Sequence, residues 1–77
     1  MKAILEFNLP EDRDDFALAT NASKMWSVLW ELDQDLRAKV KYAPDDSNED
    51  KLEAYQEIRE KLRELMGDED ISFDMVS

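Results

Sequence analysis

Aspartate and glutamate are the only abundant residue types in this 77-residue chain whose side chains are suited to acid–base catalysis or metal binding. The chain contains 20 Asp and Glu residues but no His and no Cys, so the commonest general base, the thiol nucleophile and the usual zinc ligands are missing. Carboxylate pairs such as Asp33 with Asp35, or Asp45 with Asp46, have the type and spacing for acid–base work or for magnesium binding. Because the chain is so rich in acidic residues, we interpret these pairs as solvated surface.

The acidic segment that begins at Asp45 does not match a calcium-binding EF-hand loop. Such a loop needs glycine at its sixth position and glutamate at its twelfth, whereas this chain has Asp50 and Gln56 there. The single glycine of the chain also leaves no glycine-rich loop to hold a phosphate. We therefore predict no catalytic residues, no metal and no cofactor, and we predict that the protein is not an enzyme.

Composition indicates a small, folded, acidic protein. The net charge of −10 disfavours direct binding to nucleic acid or to an anionic membrane. A hydrophobic content of 43%, with two tryptophans, is too high for a disordered acidic tail. The length predicts a single domain over residues 1–77. The lack of cysteine, of a long apolar run and of a secretion signal predicts a cytoplasmic location.

Residues 23–42 have the apolar spacing of a helix with an unusually broad hydrophobic face, around which we expect the rest of the chain to pack. A short helix over residues 10–20 precedes it, and the weak helix formers near Asn21 favour two helices that meet at an angle. Whether residues 10–42 form one helix or two stays open at this point. The central stripe and its flanks consist of Met25, Leu29, Leu32, Leu36 and Val40, with Val28 on one flank and Trp26 and Trp30 on the other.

A loop over residues 43–50 should turn the chain back into an antiparallel helix. Ser47 and Asp50 have the spacing of a capping box at the start of that helix, and Gly67 is expected to cap its end. Residues 2–9 and 71–75 alternate between apolar and polar side chains, which is typical of strands. The sequence therefore predicts an α+β fold of three helices, dominated by an antiparallel helical pair, with a small two-stranded sheet from the N- and C-terminal segments. An all-α helical domain is the alternative.

Trp26, Trp30, Asp33 and Arg37 form one row along the shoulder of the predicted central helix. Asp33 and Arg37 are spaced as an i,i+4 ion pair. The tryptophans either cover the core beneath the first helix or strand, or act as interface anchors, since Trp and Arg are enriched in binding hot spots. A homodimer is possible in which two copies pack along this shoulder.

Acidity is concentrated in segments outside the two main helices. Residues 43–50 contain four acidic residues and no basic residue, as do residues 67–77, whereas residues 51–66 are balanced. Such poles can bind a basic groove by imitating nucleic-acid phosphates, or can simply keep an apolar protein soluble. The candidate contacts in the loop are Asp45, Asp46, Glu49 and Asp50.

Residues 1–12, 27–37 and 39–42 carry a resemblance to a group of small early-region proteins of tailed phages of Gram-positive bacteria. The resemblance covers about the first 42 residues and implies no catalytic residues. It implies that the protein works in the cytoplasm of an infected bacterial host. By analogy, the resemblance also implies a binding role, because small acidic proteins of that genome region often bind and disable a host or defence enzyme, and many of those enzymes act on nucleic acid.

Two functions are therefore expected. The first is a non-catalytic phage protein that binds and inhibits or modulates a host or anti-phage defence protein, which is a nucleic-acid enzyme if the acidic surface mimics phosphates. The alternative is a homodimeric accessory or structural module in phage replication or recombination.

Overall fold

Two long helices make up most of the molecule. The computed structural model describes residues 1–75, which contain helix α1 (Arg13–Lys41), helix α2 (Glu49–Asp68) and a 3₁₀ turn (Phe73–Met75). The helices pack as an antiparallel hairpin with overall dimensions of 56 × 28 × 20 Å. No strand occurs within residues 1–75, so the predicted α+β fold is wrong and the architecture is all-α.

Helix α1 passes through Asn21 without a break, so this region forms one helix rather than the two that the sequence favoured. The polar side chains there return their hydrogen bonds to the preceding turn. Thr20 Oγ1 donates to the carbonyl of Phe16 at 2.9 Å, and Asn21 Nδ2 donates to the carbonyl of Ala17 at 2.7 Å. Side chains that bond in this way do not draw the backbone into a turn or a new cap, so these weak helix formers are tolerated inside the helix.

Both ends of α2 differ from the predicted caps. Asn48 is the N-cap, and its side-chain oxygen accepts from the amides of Asp50 at 2.8 Å and Lys51 at 3.3 Å. Gly67 lies inside the helix rather than capping it. The left-handed position that follows the helix is occupied by Asp70, with φ 56°.

The chain after α2 closes in a Schellman motif. The amide of Asp70 donates to the carbonyl of Gly67 at 3.0 Å, and the amide of Ile71 donates to the carbonyl of Met66 at 2.8 Å. These bonds satisfy carbonyls that the end of a helix leaves open. The tail is therefore directed back towards α1 instead of forming a strand.

The length of α1 separates the two terminal segments, which is why they do not form a sheet. Asp33 lies between Arg59 and Arg63 in the hairpin, so Asp68 is level with about Trp26. Roughly 13 residues of α1 extend past that level, or about 20 Å at 1.5 Å per residue. The N-terminal segment folds on this extension, where Phe7 and Phe16 pack edge to face with ring centres 5.6 Å apart.

The hydrophobic core is very small. Among the described residues, Leu36 and Met66 are the buried apolar side chains, at 5% and 6% exposure, and Asp33 is the buried charged one, at 0%. A hairpin of two helices covers only one stripe of each helix, so the outer apolar positions remain open.

Candidate interaction surfaces

The buried Asp33 carboxylate of α1 forms an ionic cluster with two arginines of α2. Arg63 donates from Nε to Oδ1 at 3.0 Å and from Nη2 to Oδ2 at 2.9 Å. Arg59 donates from Nε to Oδ1 at 3.1 Å and from Nη2 to Oδ2 at 3.4 Å. The Asp33 side chain is fully buried, while 21% of the Arg59 side chain and 52% of the Arg63 side chain are exposed. Both carboxylate oxygens are therefore held by charge-assisted hydrogen bonds.

The protonation equilibria of this cluster follow from its geometry. Burial acts to raise the pKa of Asp33, but the hydrogen bonds from Arg63 and Arg59, together with their charges, outweigh it and leave the pKa lowered. The hydrogen bond to Asp33 likewise raises the pKa of Arg63. At neutral pH the Asp33 carboxylate is therefore charged, and both of its oxygens already accept hydrogen bonds from the arginines. This arrangement suits a structural role better than proton transfer.

The structure gives Asp33 a different position from the one we expected for it. Instead of pairing with Arg37 at an exposed rim, it pairs with Arg59 and Arg63. Sequence reasoning missed both arginines. The signal was an aspartate inside an apolar helical stripe facing a second helix that carries two arginines at i and i+4, because a buried carboxylate needs such partners.

Trp26 is covered by the C-terminal tail of its own chain. Its indole packs edge to face on Phe73, with ring centres 6.0 Å apart, and its Nε1 donates to the carbonyl of Ser72 at 3.4 Å. The Arg63 guanidinium also lies 5.5 Å from the centre of the Phe73 ring. Trp26 is consequently half-buried, and it helps to fix the tail.

Trp30 and Arg37 remain accessible on the side of α1 next to the ionic cluster. Trp30 is 43% exposed and Arg37 is exposed. Their i,i+7 spacing places them two turns apart in one row of the helix. We call this pair the tryptophan row. It combines a large aromatic side chain with a guanidinium, both mounted on a helix that the Asp33 cluster fixes against its neighbour.

The four predicted acidic contacts lie together at the turn of the hairpin. Asp45, Asp46, Glu49 and Asp50 are all exposed, and the last two occupy the first turn of α2. We call this group the acidic corner. Negative charge there is favourable for the helix dipole, so Glu49 and Asp50 also support the start of α2. Trp30 lies 11 residues before the end of α1, so it is about 17 Å along the helix axis from the turn that carries the acidic corner.

An apolar cleft of about 310 Å³ lies between the middle of α1 and the tail. Its walls are formed by Ala22, Met25, Trp26, Leu29, Ile71 and Met75.

Within residues 1–75, no group of three or more carboxylates is placed to hold a metal ion. None of the described helices is long and apolar enough to span a membrane.

Comparison with known proteins gives no match. No protein family model, curated protein or solved structure matches this chain.

Proposed function

We propose that this chain is a non-catalytic phage protein that binds and inhibits or modulates a host or anti-phage defence protein in the bacterial cytoplasm. The phage setting rests on the resemblance of residues 1–42. The observation that supports binding is the tryptophan row, where Trp30 is 43% exposed beside the open Arg37. Aromatic and arginine side chains held on a fixed scaffold are typical anchors of protein interfaces.

The acidic corner is the second part of the proposed binding surface. Four carboxylates lie within six residues, 45–50, with no basic residue among them. This density of negative charge suits a basic groove, and it favours a partner that is a nucleic-acid enzyme. In this proposal the corner sets the association rate and the tryptophan row supplies most of the affinity.

A homodimeric accessory or structural module in phage replication or recombination is the alternative function. It is favoured by the apolar side chains that the hairpin leaves open on its other side, including Val28 at 65% and Leu65 at 53% exposure. Under this alternative, the partners of the protein are itself and other phage proteins.

Affinity capture from infected cells, followed by mass spectrometry, distinguishes the two functions. The proposed function predicts one host or defence protein in stoichiometric amounts, retained after nuclease treatment because contact is direct. It also predicts that added DNA or RNA and added salt release this partner. Recovery of phage proteins alone supports the accessory module instead and contradicts the inhibitor proposal.

A further inference from the structure

We propose that the apolar side of the hairpin is a homodimer interface, on which a second copy of this chain packs to form a four-helix arrangement. The side consists of Met25, Val28, Leu32, Ile58 and Leu65. It lies away from the tryptophan row and the acidic corner, so the inference does not depend on the proposed inhibitor function; it deepens the homodimeric alternative, which rests on the same side of the hairpin.

Helical geometry places these five residues on one surface. Met25, Val28 and Leu32 are spaced i, i+3 and i+7 on α1, and Ile58 and Leu65 are spaced i and i+7 on α2. At 100° per residue, the stripe on each helix is rotated by roughly 80–90° from the residues that face the other helix. The sense of this rotation, viewed along the chain, is the same on both helices. Because the helices are antiparallel, equal offsets in the same sense lie on the same side of the hairpin.

The side chains on this surface are open. Exposure is 47% for Met25, 65% for Val28 and 44% for Leu32. On α2 it is 51% for Ile58 and 53% for Leu65. Several large exposed apolar side chains on one side of two neighbouring helices are typical of an interaction surface.

The chain exposes more surface than a compact monomer of its size. Its accessible area is 6857 Å², whereas a compact monomer of 9.0 kDa exposes about 4,900 Å². The excess of about 2,000 Å² is spread over the whole chain, and burying less than half of it would supply the about 800 Å² per partner of a standard interface. The chain has no cysteine to form a disulfide, so association is a direct way to add burial.

Charge distribution favours a second copy over a strongly charged partner on this side. The parts of the helices that carry it are nearly neutral, with four basic and three acidic residues in 22–42 and four of each in 51–66. Two lysines are internally paired, Lys39 with Asp35 at 3.1 Å and Lys61 with Glu64 at 3.6 Å. The acidic segments lie outside these ranges, so two chains of net charge −10 can meet here with little repulsion.

Sedimentation equilibrium of the wild-type chain tests the proposal without any variant. We expect a mass that rises from one to two chains of 9.0 kDa between about 1 and about 200 µM, as mass action requires. A mass of one chain throughout this range overturns the proposal. A captured host protein leaves this result unchanged, so failure here is distinct from failure of the proposed function.

Charge insertion then assigns the surface. Val28→Glu should weaken dimerisation by about 100-fold or more, because the new carboxylate is buried without a partner. Ser23→Glu adds the same charge to the opposite side of α1 and should leave the dimer intact. Circular dichroism checks that each variant is folded. A dimer that survives Val28→Glu but dissociates with Trp30→Glu overturns this assignment, since it places the contact on the tryptophan row.

Discussion

Arg63 donates two nearly parallel hydrogen bonds to Asp33, at 3.0 and 2.9 Å, while its guanidinium lies 5.5 Å from the centre of the Phe73 ring. One side chain therefore connects the interhelical ion cluster to the tail that covers Trp26. In a protein with only two buried apolar residues among those described, this connection fixes the register of the helices and the position of the C-terminal turn.

Replacing Asp33 with asparagine should strongly destabilise the fold. The change removes the charge from a site where two guanidinium groups converge, and breaking a buried ion pair costs about 3–5 kcal/mol. We expect the lower end, about 3 kcal/mol, because Arg63 is half-exposed and regains water. Urea unfolding followed by circular dichroism measures the loss.

Asp35→Asn is the matched control for this prediction. Asp35 pairs with Lys39 within one helix, and both side chains are exposed, at 60% and 45%. Such a surface pair contributes about 0.5 kcal/mol or less. Equal effects of the two substitutions would contradict a structural role for the Asp33 cluster.

Acidification should remove the contribution of Asp33 to stability. The folded pKa of Asp33 is lowered, so its contribution is fully present above the ordinary aspartate pKa of about 3.9. It is lost as the pH falls through the lower folded pKa. The difference in unfolding free energy between wild type and Asp33→Asn should therefore be constant between about pH 5 and 7 and shrink below about pH 4. A difference that grows on acidification would contradict the assigned pKa direction.

The α-helical hairpin contains features that the sequence indicated and others that required the structure. The apolar spacing of residues 23–42 and 52–66 was sufficient to predict two long helices. The apolar spacing does not show that the Thr20 and Asn21 side chains donate hydrogen bonds to the preceding turn of α1. Without these bonds, the weak helix formers favoured a break in the helix. A continuous α1 extends about 20 Å past the end of α2, and the N-terminal segment packs on this extension rather than beside the tail, so no sheet forms.

The predicted site shows the same limit. Trp30, Arg37 and the acidic corner are exposed as a binding surface requires, whereas Asp33 is buried. A helical wheel places Asp33 in a row with the tryptophans, but the width of the interface with α2 decides which members of the row are covered. That width depends on the arginine partners, which are 26 and 30 residues away in sequence.

Two substitutions at the end of α2 should stabilise the protein. Gly67 lies within the helix, and a Cβ added there meets nothing within 4 Å, so Gly67→Ala should add about 0.5–1 kcal/mol to the free energy of unfolding.

Asp70 has φ 56°, and Asp70→Gly should add roughly 1 kcal/mol to the free energy of unfolding by removing the left-handed strain. Thermal unfolding measures both changes. Asp70→Ala is the control for the second substitution, because it removes the same charge but keeps a Cβ in the left-handed region. It should give no gain, and equal gains from alanine and glycine would contradict the Schellman geometry.

Phe73→Ala should expose Trp26 without unfolding the helices. The substitution removes the ring that packs on the indole, and with it the contact to Arg63. In a Trp30→Phe background, emission of Trp26 should shift to the red and acrylamide quenching should increase. Phe7→Ala, which removes the comparable contact to Phe16, is the control and should leave Trp26 emission unchanged. No change with Phe73→Ala would contradict the position of the tail.

The proposed function requires a protein partner to which the acidic corner guides the chain, and charge-matched affinity capture tests this requirement most directly. One variant neutralises Asp45, Asp46, Glu49 and Asp50 with asparagine or glutamine, and the control replaces Glu53, Glu57, Glu60 and Glu64 with glutamine, so both remove four exposed carboxylates. Site-specific steering predicts that the corner variant captures about 10-fold less partner at low salt, while the control stays close to wild type. Equal capture by all three proteins, or equal losses in both variants, would contradict this requirement.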